Sequence, residues 1–312
     1  MMPHIAMTIA ATLWASSFIA SKAMMEVISP PQLTLLRFWI GALVILAVAL
    51  LTRRVFNARA IGIRAFVTGF FEPGLITIIV YWGLLHTTAV HGVVLFALMP
   101  LVTSLLGRVF LGEAITRPVL GGAVIAVVGT VLLVAGTPEN GDASLFGDAI
   151  VFLGMLLACV AILVLRRVAQ THGQPMAVTS FQLTGAGFCG FVVVGGLAFF
   201  NNDAGAFEAY TRIDTTGWLI MVYLGVLVSA LAFFIYNFAL GHIGVGRISL
   251  YLVLIAPLGV PLAAIFLGET VNLQDGVAIA LVIVGVALPS LASQPWLVSL
   301  WPGRSGRRRM PR

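Results

Sequence analysis

The chain has 312 residues, of which 60% are apolar and only 9% charged, and its mean hydropathy is +1.09. A water-soluble domain carries about 25% charged residues and could not cover its surface with what is left here, so lipid is the expected solvent. The net charge of +6 comes from arginines and the single Lys22, placed at the ends of apolar stretches and in the tail rather than on one face, which argues against nucleic-acid binding.

A helix needs roughly 20 mostly apolar residues to cross about 30 Å of hydrocarbon. Windows of that length between polar breaks predict ten spans, near 5–25, 32–51, 65–85, 91–111, 118–136, 147–166, 176–199, 216–239, 246–267 and 274–291. The first lacks a basic segment ahead of it and is followed by further spans, so it is expected to stay as a transmembrane helix and not to be removed as a signal peptide. Ser29-Pro30-Pro31 opens the second, and Arg53 and Arg54 close it. Thr116-Arg117-Pro118 starts the fifth with a cap and an early proline, and Asn272 with Asp275 starts the tenth. With the N-terminus in the cytoplasm, fourteen basic residues fall inside, including Arg59, Arg64, Arg108, Arg117, Arg166, Arg167, Arg247 and the tail arginines. Only Lys22, Arg37 and Arg212 fall outside. That asymmetry fits cytoplasmic ends on a multi-pass protein of the cell inner membrane.

Phe110-Leu111-Gly112-Glu113 recurs as Phe266-Leu267-Gly268-Glu269, each copy followed by an apolar stretch with a glycine at the same place, Gly129 and Gly285. The duplication predicts an all-α membrane protein whose ten helices form two five-helix repeats, 1–137 and 147–291, with an Arg-rich cytoplasmic tail at 292–312. Because five is odd, the second repeat enters the membrane inverted. Inverted repeats place a solute site between the halves near the midplane and let the two ends open in turn.

Several motifs, in order along the whole chain, resemble the drug/metabolite transporter superfamily in its EamA-type, ten-helix branch. They are Trp14-Ala15-Ser16-Ser17-Phe18 with Lys22, then Leu35-Leu36-Arg37-Phe38, then Pro100 thirteen positions before Glu113. The second copy runs from Ser249-Leu250-Tyr251 to Glu269 and departs by one residue. Pro257 precedes Glu269 by twelve positions, and Ala256 takes the proline's expected place. The resemblance implies a carrier of small metabolites, most often an exporter of amino acids or related compounds, driven by a gradient. No Gly-x4-Gly-Lys-Ser/Thr loop is present to hydrolyse a nucleotide. Efflux or uptake of another solute class, such as a drug, nucleoside or sugar derivative, stays open. An enzyme is not expected, since neither His-Glu-x-x-His nor Gly-x-Ser-x-Gly occurs and Glu72 has no acidic neighbour.

Glu72, in Phe70-Phe71-Glu72-Pro73-Gly74 within the third span, is the leading candidate for proton coupling and solute contact. A carboxylate at that depth is costly to ionise, and Pro73 and Gly74 weaken the helix and free carbonyls for a ligand or water. Its alternative is a neutral carboxyl bonded to a neighbouring helix to fix packing. Arg37 could pair with Glu26, grip a solute carboxylate through two bonds, or reach the headgroups. Lys22 is expected to reach the headgroups. Trp14, Phe18, Tyr81, Phe96, Tyr236 and Tyr251, with Trp82 and Phe233, lie on spans that line the cavity in the resembled carriers. Ser17 and Asn237 add a hydroxyl and an amide, and polar groups among aromatic walls suit an amphipathic organic solute.

His86 and His91 flank a predicted outer loop with no acid or thiol beside them in sequence, so they read as interfacial and no metal site is expected. Glu113 and Glu269 stand just before new helices and are expected to satisfy their free amides or pair with nearby arginines. Cys159 and Cys189 read as buried free thiols. No cofactor is expected. The partners expected are a small-molecule solute and the lipid bilayer, with a homodimer left open.

Overall fold

The computed structural model describes residues 2–52, 58–111, 116–135, 143–170, 174–201, 205–242, 251–252 and 254–292. Arg53, Arg54, Glu113, Arg247, Ser249, Leu250 and the tail from 293 on lie outside the described residues, as do the side chains of Arg59, Arg166 and Arg167. Among the described residues the regular structure is entirely helical. In lipid a helix satisfies its own N–H and C=O groups, which is what an apolar chain of this kind requires.

The helices are α1 (Met2–Met24), α2 (Pro30–Leu51), α3 (Ala58–Gly69), α4 (Ile76–Leu84), α5 (Ala89–Ala97), α6 (Met99–Leu111) and α7 (Arg117–Ala135). They continue with α8 (Leu145–Gln170), α9 (Pro175–Asn201), α10 (Thr215–Val222), α11 (Ala232–His242), α12 (Ile255–Leu267) and α13 (Leu273–Ala292). Six stretches are long and apolar enough to cross a membrane: Ile5–Met24, Pro30–Leu51, Ile61–Leu84, Arg117–Ala135, Pro175–Asn201 and Thr215–Ala239. α5 and α6 together make a seventh, bent by 40°. Leu145–Ala161, Ile255–Leu267 and Leu273–Leu288 are shorter apolar helices. Large apolar side chains on the outside, among them Leu51 at 84% exposure and Phe200 at 83%, would be untenable in water and are ordinary against lipid tails.

The predicted cap of the tenth span is in place, and α2 has one as well. Ser29 and Gln32 form a capping box at the start of α2, and Asn272 and Asp275 exchange bonds at the start of α13, each amide meeting the other's side chain at 3.0 and 2.9 Å. The two repeated glycines seat α7 against α13. A Cβ on Gly129 would lie 2.7 Å from the Ala278 carbonyl oxygen, and one on Gly285 would lie 2.5 Å from that of Gly122. As one helix advances the other runs back, so the pair is antiparallel with backbones in close approach, as small residues permit in membranes.

Two spans widen into π-helical turns. Between α3 and α4, Phe70–Leu75 loosens because Pro73 has no amide to give and crowds the residue before it. Glu72 accordingly leaves the helix for extended backbone, φ −131° and ψ 112°. The second wide turn, Tyr223–Leu231, joins α10 to α11. Such turns often mark functional sites, and the first borders an internal space.

Candidate functional site

That space is a cavity of about 150 Å³ among α1, α2, α4, α5, α9, α11 and the Glu72 turn. Eight of the ten residues singled out from the sequence line it: Trp14, Ser17, Phe18, Arg37, Glu72, Tyr81, Phe96 and Tyr236. The spacing of Trp14, Ser17 and Phe18 on α1 puts them on one face, three and four residues apart. Trp14 packs edge-on against Tyr236 at 5.3 Å and Phe233 at 5.7 Å, and Phe18 against Phe96 at 5.1 Å. The walls are therefore aromatic and the contacts mostly edge-to-face, which leaves ring faces available to a solute.

Asn237 and Tyr251 are not among the lining residues. Asn237 points sideways and donates from Nδ2 to Thr179 Oγ1 at 2.9 Å and to Gln182 Oε1 at 3.0 Å. Tyr251 packs against the cluster of Met7, Ala10, Ile235 and Tyr236. Gln182 does line the cavity and escaped the sequence reading. The signal for it was an amide in the middle of the 27-residue apolar helix α9. Its Nε2 reaches the Glu72 carbonyl oxygen at 3.4 Å, so Asn237 and Thr179 orient the amide that faces the broken helix.

Arg37 is buried, at 4% exposure, and extends into the cavity; it neither reaches the headgroups nor pairs with Glu26. Depth explains the difference, since the residue lies two turns inside α2, where its cation needs donor partners within the protein. Nε donates to Ser229 Oγ at 3.0 Å, and Nη1 donates to the Tyr81 hydroxyl. Tyr81 in turn shares a hydrogen bond of 2.7 Å with Ser21. Ser229 comes from the second wide turn, so that turn positions the guanidinium. The guanidinium carbon also lies 4.9 Å from the centroid of the Phe38 ring.

Glu72 lines the same cavity. Its Oε2 is buried without a hydrogen-bond partner, so the neighbouring-helix bond expected of a purely packing glutamate is absent at that oxygen among the described residues. Arg37 and Glu72 thus share a cavity without forming an ion pair.

Three expectations are corrected at the end of the bundle where α1 finishes. Lys22 does not reach for headgroups; it donates to the Thr87 carbonyl at 2.5 Å and lies 3.6 Å from Glu269. Glu269 does not cap the helix that follows it. It accepts from the Ala89 and Val90 amides at 2.7 and 2.8 Å, closing the N-terminus of α5. His91 is no interfacial residue, being buried with Nδ1 2.9 Å from Asp148 Oδ2. The acid stands 57 residues away and only the fold brings it near. His86 is exposed, as read. Among the described residues no cluster of His, Cys, Asp and Glu could hold a metal, and both cysteines are buried thiols.

The model of the EamA-like transporter family matches this chain in two stretches, 1–135 and 145–291. The chain is 28% identical to the probable terminal-alkyne amino-acid exporter of Streptantibioticus cattleyicolor, over 91% of each protein. It is 24% identical to the uncharacterised transporter YyaM of Bacillus subtilis, over 88% of this chain and 89% of the relative. A solved crystal structure superposes with a TM-score of 0.68 over 93% of this chain and 96% of its own, at 20% identity, which is a likeness of fold.

Proposed function

Since this chain belongs to the EamA-like transporter family and is a membrane transporter, we propose that it exports an amino acid or related small metabolite by alternating access, with proton exchange at Glu72. In this reading ten spans form inverted five-helix repeats, 1–137 and 147–291, with both ends of the chain in the cytoplasm. The two stretches matched by the family model and the antiparallel seating of Gly129 on α13 and Gly285 on α7 support the inversion. The fourteen-to-three split of basic residues supports the orientation.

The observation that carries the solute class is a guanidinium and a carboxyl group set among aromatic walls in one cavity. Arg37 and Glu72 line one buried cavity, and Glu72 keeps a free oxygen there. A guanidinium suits a carboxylate, a glutamate suits an ammonium group, and the rings suit an apolar side chain. An amphipathic zwitterion answers all three demands. A relative is named as a probable amino-acid exporter, which agrees with this assignment.

Glu72 supplies the coupling. A carboxyl group at that depth is stable neutral, and an ammonium group or a hydrated path allows it to ionise. Taking a proton from one side and releasing it to the other would tie solute exit to proton entry. Proteoliposomes loaded with labelled amino acids, with and without a pH gradient, test both points. Wild-type efflux should rise with the gradient, and Glu72→Gln should lose that response. Equal flux by wild type and variant under both conditions would remove the coupling role.

A further inference from the structure

The Lys22–Glu269 ion pair and the His91–Asp148 contact both join the first matched stretch of the chain to the second, and both lie at one end of the cavity. They form a single cluster. Lys22 donates to the Thr87 carbonyl, the Thr87 hydroxyl donates to Asp148 Oδ1 at 2.5 Å, and Asp148 faces His91. Glu269 meets Lys22 on one side and the first amides of α5 on the other. Gly268, at φ +67°, ends α12 in the left-handed conformation and turns the chain so that Glu269 faces α5.

The cluster sits over the cavity. Lys22 is four residues beyond Phe18, about 6 Å along α1, and His91 is five residues before Phe96, about 7.5 Å along α5. Phe18 and Phe96 both line the cavity. The cluster draws on the end of α1, the turn from α4 to α5, the start of α8 and the turn after α12, which are the elements that would have to part for a solute to leave on this side.

The chemistry suits a seal that opens. Lys22 and Glu269 are 25% and 10% exposed, so water already reaches the pair and can take over its bonds as it separates. An apolar seal of equal extent would expose hydrocarbon on opening. The neighbouring Ser21 holds Tyr81, which holds Arg37, so the seal and the solute cavity share consecutive residues of α1.

We propose that Lys22 and Glu269 are gating residues of the transport cycle: their ion pair, backed by His91–Asp148, latches one end of the cavity and must break for solute to pass there. The inference rests on the carrier reading, and charge placement puts this end outside.

The test uses the full-length chain in which Cys159→Ala and Cys189→Ala leave efflux intact. With Lys22→Cys and Glu269→Cys added, a reducible bis-methanethiosulfonate bridges the latch. Bridging should stop efflux in proteoliposomes, leave solute affinity unchanged, and be reversed by dithiothreitol. Undiminished efflux by the bridged protein overturns the proposal. In the same background Ser17→Cys reports on the cavity through its labelling by a membrane-impermeant thiol reagent added outside. Lys22→Met and Glu269→Gln should each raise that labelling rate several-fold, and together no further than singly, because they remove one shared interaction. A merely structural pair would leave labelling unmoved, and that result also sinks the latch. Labelling needs no solute, so the latch can stand or fall separately from the carrier reading, which fails if wild-type protein moves no amino acid.

Discussion

Replacing Gly69 by alanine tests how the wall beside Glu72 is held. A Cβ there would sit 2.0 Å from the Gln182 carbonyl oxygen, and the reciprocal Gly185 faces the Phe66 carbonyl oxygen at 2.1 Å. Both obstacles are main chain, so no rotamer relieves them. Carbon and oxygen settle near ~3.4 Å, and α3 and α9 must therefore separate by about 1.4 Å. That retreat takes the 3.4 Å contact between Gln182 Nε2 and the Glu72 carbonyl beyond hydrogen-bond length and widens the cavity. Overpacking costs about 1–3 kcal/mol and the lost bond about 1 kcal/mol, so Gly69→Ala should destabilise the protein by roughly 2–4 kcal/mol. Thermal unfolding in detergent, with and without solute, reads this as a lower Tm and a smaller solute-induced rise. Gly196→Ala on α9 is the control. A Cβ there meets nothing within 4 Å, and alanine favours the helix by up to about 1 kcal/mol, so its Tm should hold or rise. A Gly69→Ala protein with wild-type Tm and efflux would refute the close approach and the positioning of Gln182 drawn from it.

Two further substitutions separate solute contact from support. Tyr81→Phe deletes the hydroxyl that receives Arg37 Nη1 and bonds Ser21. A hydrogen bond to a charged group is worth about 1.5–3 kcal/mol, so binding of a carboxylate-bearing solute should weaken at least about tenfold, while its methyl ester is affected less. Titrations of both ligands against wild type and variant check the difference. Asn237→Ala leaves Thr179 and Gln182 without their shared donor and should cost about 1–3 kcal/mol of stability. Because Asn237 does not line the cavity, efflux per folded molecule should fall less than for Gln182→Ala, as measured in proteoliposomes at matched protein content.

What was legible in the sequence follows from which forces act locally. A bilayer demands about 20 apolar residues at a stretch, so spans show in composition, and each window read from the sequence contains helix among the described residues. Proline chemistry is equally local, and Glu72-Pro73 announced the broken helix before any partner was known. Trp14, Ser17 and Phe18 were legible because the resemblance sets their span at the cavity, and helical spacing then keeps all three on one face. Partnership across the bundle was not legible. Nothing near His91 in the chain announces Asp148, and Glu269 precedes one helix while capping another whose first residue is Ala89. Asn237 and Gln182 exchanged roles for the same reason. Both are amides in apolar helices, and only the rotation of α9 against α11 decides which faces the cavity.

The buried charges divide by what satisfies them. Asp148 is met by His91 and Thr87, and Glu269 by Lys22 and two amides, so those acids close contacts within the protein. Glu72 is left with an unmatched oxygen, in a cavity lined by aromatic side chains. Leaving a buried polar atom unpaired costs about 1–3 kcal/mol, a cost that a solute or a proton can remove on arrival. A Glu72→Gln variant should therefore be at least as stable as wild type without solute, while losing the stabilisation that solute gives. If that variant unfolds more readily than wild type, the carboxyl group serves packing, and the solute site must be sought elsewhere in the bundle.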